Sequence, residues 1–327
     1  LFFNGLREVD LRQAGFGHHI PALLASERYA QMPVGGAASL ARALCGAVAE
    51  HGGEIRTGVG LERILIENGR AAGVVLAGGE VIRARRLVAS GLNPQQTFLD
   101  LIDPALIPSD WLQKAADFRY NLLAPLFGLY LNLSEAPEYS QPSGNEALMV
   151  ILGLDRSDQF EEIVAAHEAG RVPECRVMWG SAPSRFDPAQ APEGGHTAFL
   201  WEKLPYHLAG NPANWDAEKD RHGEKMLAEW AQYAPNLGAK GTILDWHTRS
   251  PLDVERTLPN MRHGDLLIGA FSHGQVGYHR PFPGAGHYRT CIERLYLCGS
   301  CCHPGGNVTG LPGYNAAQVI RADLGDS

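Results

Sequence analysis

The stretch "CGSCCHPGGNVTGLPGYNAA", Cys298 to Ala317, packs three cysteines, one histidine and five glycines into twenty residues. The apolar run "RLYLCG" (Arg294–Gly299) enters it as a short buried strand. "TGLPGYNAAQVIRADL" leaves it as a helix, with Pro312 near the first turn, where proline is favoured. The unit reads strand, glycine loop, helix N-terminus. A zinc site would use Cys298, Cys301, Cys302 and His303, but no second Cys or His pair stands at zinc-ribbon distance. Haem attachment needs C-x-x-C-H, and the fifth residue here is Cys302. A tight turn with incidental buried cysteines stays open. The remaining reading explains the glycines and the helix together. A helix start presents unpaired N–H groups and partial positive charge. Glycines ahead of it let a planar ligand approach the backbone without a Cβ clash.

A flavin suits that shape. The N1/C2=O edge of its ring gains negative charge on reduction, and N–H groups at a helix start stabilise that charge. Val308, Thr309 and Gly310 are placed to meet this edge, and His303-Pro304-Gly305-Gly306 to wall the ring.

Upstream, "SLARALCGAVAEHGG" (Ser39–Gly53) spaces Leu40, Leu44 and Val48 by four and closes on two glycines, which predicts an amphipathic helix with a glycine cap. In Glu54–Ser90, Asn68-Gly69 and Gly78-Gly79 are hairpin signals between β-rich runs. A short strand, a three-stranded meander and a returning strand, "RLVAS", are expected. Further apolar or alternating runs lie at Leu122–Leu133, Cys175–Ser181, His196–Leu204, Thr242–His247 and Leu266–Phe271, with helical segments at Ser157–Ala169 and Asp216–Tyr233. Phe127, Tyr130, Trp179, Phe199, Trp201 and Trp246 fall on these strands, as core or as pocket lining.

Composition sets outer bounds. The chain has 327 residues, formal net charge −8 and no Lys/Arg-rich run, which argues against a nucleic-acid partner. Cys45, Cys175 and Cys291 stand isolated, as in a reducing, cytoplasmic compartment. The longest apolar stretch, Asn121–Leu133, is too short to span a bilayer. The chain opens "LFFNGLREVD" without Met and reads as the middle of a domain.

The closing stretch resembles the FAD motif of the phytoene desaturase-like flavoproteins: strand, G-S/D, H-P-G-G-G-V, x-G-x-x-G, N-A-A. "PVGGAASLARALCGAVAEHGG" and the meander after it are similar to that family's G-G-M-x-x-L-x-x-A-L helix and following strands. "PLDVERTLPNMRHGDLLIGAFSHGQVGYHRPFP" resembles one branch, the pyridine nucleotide-disulfide oxidoreductase domain-containing protein 2-like group. The resemblance covers nearly the whole chain. It implies an α/β fold with an α+β insertion. An incomplete FAD-binding, glutathione reductase-like, Rossmann-type domain would comprise 31–100 and 282–327. A substrate domain with a mixed or antiparallel sheet would comprise 1–30 and 101–281.

By the same resemblance, Leu61 faces the adenine, Ser90 and Gly91 pass the cofactor, and Gly299 and Ser300 lie near the ribityl chain. His303, Gly305, Gly306, Val308, Thr309 and Gly310 form the ring loop. Three departures stand out. Asn307 replaces the third glycine, Cys301 stands where a small residue is usual, and Ile268-Gly269-Ala270 stands where His-Gly-Glu is expected.

The implied reaction is hydride transfer at a C–C bond of an apolar small molecule. Arg280, Tyr278 and His279 are the catalytic candidates, with His273 as a further proton donor. No metal and no disulfide are expected at Cys298, Cys301 and Cys302. The GxGxxG that would hold the FAD pyrophosphate is missing: "GFGHHI", "GVGLER" and "GAGHYR" each fail in spacing or context. An upstream segment or a second polypeptide is expected to supply it, and the chain alone to bind FAD weakly or not at all. The competing expectation is a non-catalytic module that keeps the flavoprotein fold and binds a ligand or partner.

Overall fold

The computed structural model describes residues 32–271, 274–306 and 308–325. The expectations for residues 1–30, His273 and Asn307 lie outside the described residues. In chain order the main elements are α1 (Ala37–Glu50), β1 (Leu61–Glu67), β2 (Arg70–Leu76), β3 (Val81–Arg83), β4 (Val88–Ser90), α2 (Ser109–Ala116), β5 (Leu126–Leu133), β6 (Val150–Leu152), α3 (Gln159–Glu168), β7 (Met178–Ser181), β8 (His196–Lys203), α4 (Trp215–Tyr233), β9 (Ile243–Arg249), α5 (Pro251–Thr257), β10 (Leu295–Leu297) and α6 (Leu311–Leu324). They fall into two units. The first holds the described residues of Arg56–Asn121 and Asn260–Ser327, the second those of Ala30–Ile55 and Leu122–Pro259. The divisions thus lie near 121 and 260, where the sequence pattern sets them near 100 and 282. Helix α1 groups with the second unit, where that pattern puts it with the meander.

In the first unit β1, β2 and β3 form the antiparallel meander. Asn68 and Gly69 both take positive φ, 51° and 74°, as a two-residue hairpin turn requires. The short strand expected at Glu54 does not form, and residues 54–60 take no regular element. Strands β4 and β10 pair in parallel, Leu295 opposite Val88 and Leu297 opposite Ser90, across some two hundred intervening residues. In the same core Phe98, Trp111 and Phe282 interlock edge to face, with centroids 5.5 Å and 5.3 Å apart along Phe98–Trp111–Phe282. Aromatic pairs in this geometry contribute roughly 0.5–1.5 kcal/mol each beyond their burial. The strand expected at Leu266–Phe271 is a turn instead. The buried Asp265 carboxylate accepts the N–H groups of Leu267 (2.8 Å) and Gly269 (2.9 Å), which curls the segment tightly.

The second unit is built on a five-stranded antiparallel sheet in the order β6-β7-β8-β5-β9. Alternation decides its faces. Phe127, Leu129 and Leu131 of β5 and Ala198 and Leu200 of β8 point to the buried side, where α4 presents Trp215, Met226 and Trp230. Gly223 of α4 allows close approach: a Cβ there would stand 2.4 Å from Thr248 Cγ2 on β9. The same side buries a charge cluster. His222 Nε2 lies 2.7 Å from Glu202 Oε2, and Arg176, paired with Glu229, stands 3.6 Å from that carboxylate. Helix α5 begins on a reciprocal cap between Ser250 and Asp253, with Pro251 at its first position.

Helix α1 buries no residue, and its apolar stripe is open, Leu40 at 38%, Leu44 at 62% and Val48 at 43% exposure. No described helix is long and apolar enough to cross a membrane.

Candidate flavin-loop site

A pocket of about 260 Å³ opens where β10 ends and α6 begins. Its wall is Cys298, Gly299, Ser300, Gly305, Gly306, Val308, Thr309, Gly310, Pro312 and Gly313. The pocket follows from the local sequence. Cys298 N–H donates to Ser90 O (2.8 Å), which carries the strand pairing one step further. A Cβ at Gly299 would then lie 2.1 Å from Gly91 O, so only glycine lets the two chains pass. Gly305, at φ 105°, leaves room for Phe271, whose ring a Cβ there would approach to 2.6 Å.

Gly310 and Gly313 differ from these. A Cβ on either would meet nothing within 4 Å. Gly310, left-handed at φ 68°, caps α6, and the positive end of the helix borders the opening, although Leu311 N–H is taken by Thr309 Oγ1 and Pro312 has none. Glycines that face open space beside a helix start form a cradle that side chains would fill. That fits the planar edge of a flavin. Val308, at φ 59° and 85% exposure, stands at the mouth.

Seven of the ring-loop and ribityl candidates, Gly299, Ser300, Gly305, Gly306, Val308, Thr309 and Gly310, line the pocket. His303 belongs to the loop but not to this wall, and its carbonyl accepts from Tyr288 OH (2.7 Å), which Asn315 holds in turn. Ser90 and Gly91 meet the loop through their backbones. Leu61 opens β1, half exposed, and is not part of this wall.

The three catalytic candidates are not brought together. Arg280 is fully buried and donates to the carbonyls of Leu267, Ile268, Gly269, Ala270, Gln275 and Ser300. Phe271 lies against its guanidinium at 4.1 Å. With no exposed surface, Arg280 cannot meet a substrate. It staples the 267–275 segment to the pocket wall at Ser300. Tyr278 points outward at 53% exposure, its ring 4.2 Å from that of His279, and neither lines the pocket. Sequence reading misses Asp265, the second polar anchor of this region, whose pKa burial raises. Its signal is an acidic residue set immediately before an apolar run.

The cysteines carry free thiols, with Cys301 and Cys302 Sγ atoms 3.8 Å apart. Burial raises the Cys298 pKa, and the Cys301 contact with burial raises that of Cys302, so both are held protonated. Protonated thiols are poor nucleophiles and poor metal ligands. Among the described residues no group of three His, Cys, Asp or Glu could hold a metal ion.

No family model matches the chain. The chain is similar to pyridine nucleotide-disulfide oxidoreductase domain-containing protein 2 of Rattus norvegicus, with 32% identity over 94% of this chain and 54% of that protein. Phytoene desaturase (neurosporene-forming) of Cereibacter sphaeroides is 26% identical over 88% of this chain and 52% of its own length. The zeta-carotene-forming phytoene desaturase of Myxococcus xanthus is 27% identical over 86% and 49%. The resemblance carried by the closing motif therefore holds along nearly the whole chain, which spans about half the length of these curated relatives. In fold it is similar to a crystal structure of an oxidoreductase from Methanosarcina mazei, with TM-score 0.53 and 16% identity over 90% of this chain and 55% of the other.

Proposed function

We propose that this chain carries the ring-binding half of an FAD-dependent oxidoreductase of the phytoene desaturase-like kind. The reaction is hydride transfer at a C–C bond of an apolar substrate. The pyrophosphate-binding half, a strand–GxGxxG–helix, comes from a preceding stretch of the same protein or from a second polypeptide. One observation carries the reading. The parallel pair β4/β10 ends in a glycine cradle at a helix start, yet among the described residues it has only two strands. Parallel strands ordinarily lie within larger, covered sheets. A further strand beside the pair would complete an incomplete Rossmann-type domain. The relatives are about twice as long as the stretch this chain matches, which leaves room in them for that half.

The flavin, when bound, supplies the hydride chemistry. This chain's part is to hold and tune it. The positive end of α6 would favour negative charge at the ring edge, the open space at Gly310 and Gly313 would admit the ring, and Arg280 fixes the wall from behind. The second reading, a non-catalytic module, is favoured by the absence of Tyr278, His279 and Arg280 from the pocket wall. Co-expression with the unmatched portion of the Rattus norvegicus relative separates the two. A copurifying yellow pair, bleached by dithionite, supports the oxidoreductase. A colourless pair, or no pair, overturns it.

A further inference from the structure

The starts of β4 and β10 open onto a second pocket, of about 630 Å³ and built wholly from the first unit. Four arginines line it: Arg85 and Arg86 just before β4, Arg294 just before β10, and Arg289, bonded to the last turn of α6. Two carboxylates, Glu293 and Asp323, share the wall. Strand β10 is three residues long, so this pocket and the flavin loop stand about 10 Å apart, at opposite ends of the parallel pair.

The charges do not cancel. Arg289 grips Asp323 with two bonds, of 2.8 Å and 2.6 Å, and Tyr296 OH donates to the same carboxylate at 2.9 Å. Arg70, from outside the pocket, holds Glu293 at 2.8 Å. Each carboxylate is thus matched by one guanidinium. Arg294 Nε stands 3.9 Å from Glu293, past hydrogen-bond reach. Arg85 is exposed and makes no hydrogen bond or ion pair among the described residues. The C-terminal end of α6 adds negative charge worth about half a unit, less than one guanidinium. A positive excess therefore stands in a chain of formal net charge −8. Arg294 also takes a left-handed backbone, φ 63°, uncommon for a residue with a Cβ. Strain of that kind gathers at ligand clamps.

We propose that this pocket binds a small anion with a terminal diphosphate, held by Arg85 and Arg294 with Arg86 beside them. The arginines line a concavity, which suits a small molecule better than a flat lipid surface, and its volume falls in the small-ligand range. Guanidinium donors from two separate segments meet oxygens that point in several directions, as phosphate oxygens do and a planar carboxylate's do not. The proposal does not rest on the oxidoreductase reading. Both phosphates of FAD are esterified, so FAD lacks the terminal group, and the two kinds of binding fail independently.

The test is isothermal titration of the whole chain, without flavin, against inorganic pyrophosphate, ADP and citrate. Pyrophosphate should bind one to one and about tenfold tighter than citrate, a carboxylate anion of similar charge, a difference of about 1.4 kcal/mol. It should also raise the melting temperature, because the pocket exists only in the folded chain. Arg85→Gln and Arg294→Gln should each weaken pyrophosphate binding about tenfold. Arg63→Gln, the same charge change on β1 outside the pocket, should leave it unaltered. Arg85 bonds no described residue, so Arg85→Gln decides the matter even where Arg294→Gln fails to fold by circular dichroism. ADP binding as tightly as pyrophosphate supports a nucleotide as the ligand, and pyrophosphate binding alone supports the inorganic anion. Absence of saturable pyrophosphate binding, citrate binding as tightly, equal weakening by Arg63→Gln, or undiminished binding by folded Arg85→Gln overturns the proposal.

Discussion

A guanidinium with six carbonyl acceptors cannot be exchanged for an ammonium. The two terminal nitrogens of Arg280 share their four N–H groups among these carbonyls, NH1 serving Ala270 and Gln275 and NH2 the others, and a single Nζ cannot replace both positions. Arg280→Lys should lower unfolding free energy by about 3 kcal/mol, the scale of one or two lost bonds to a charged group, as read by urea denaturation. His167 gives a prediction of opposite character. Its Nδ1 bonds Ile163 O at 2.8 Å, and burial lowers its pKa to about 4. The folded chain therefore resists the proton that the unfolded chain accepts near pH 6.5. Stability from this residue is complete above about pH 6.5 and is lost as pH falls toward 4, by about 3 kcal/mol in total. A His167→Gln variant should flatten that part of the pH–stability curve. An unchanged slope would remove His167 as its cause. Neither role is legible in sequence. A histidine in a helical run and an arginine beside Tyr278 carry no sign of which way they point, and only packing decides it.

The strand–loop–helix at Leu295–Leu324 is legible because its glycines, Pro312 and apolar run act locally. The same holds for the Asn68-Gly69 turn and most strands of the second unit. Leu266–Phe271 is not legible, because Asp265 captures its N–H groups by a side-chain contact that hydrophobic pattern does not encode. The loop glycines now divide by function. Gly305→Ala would drive a methyl into Phe271 at φ 105° and should destabilise the fold by about 2 kcal/mol. Gly313→Ala meets open space inside a helix and should leave stability equal or higher by up to about 1 kcal/mol. Yet Gly313→Ala places a methyl in the cradle, so it should reduce flavin retention in the complemented pair. Thermal melts and flavin-to-protein ratios measure the two effects separately. A Gly313→Ala protein with unimpaired flavin content would take Gly313 out of the site.

At the scale of the molecule, two well-formed cores coexist with an α1 stripe that has no partner among the described residues and with a parallel sheet of only two strands. The division into units near residues 121 and 260 is only partly legible, since α1 has no buried residue to fix its place by pattern. The central claim is that the chain holds the ring half of a flavin site without the pyrophosphate half. Equilibrium dialysis of the chain with riboflavin and with FAD tests it most directly. Pyrophosphate contacts to a helix start contribute roughly 1.5–3 kcal/mol each, so their loss removes several powers of ten in affinity. The account predicts that FAD binds weakly or undetectably and no more than a few-fold better than riboflavin. Submicromolar FAD binding far exceeding that of riboflavin, with no partner present, would contradict it.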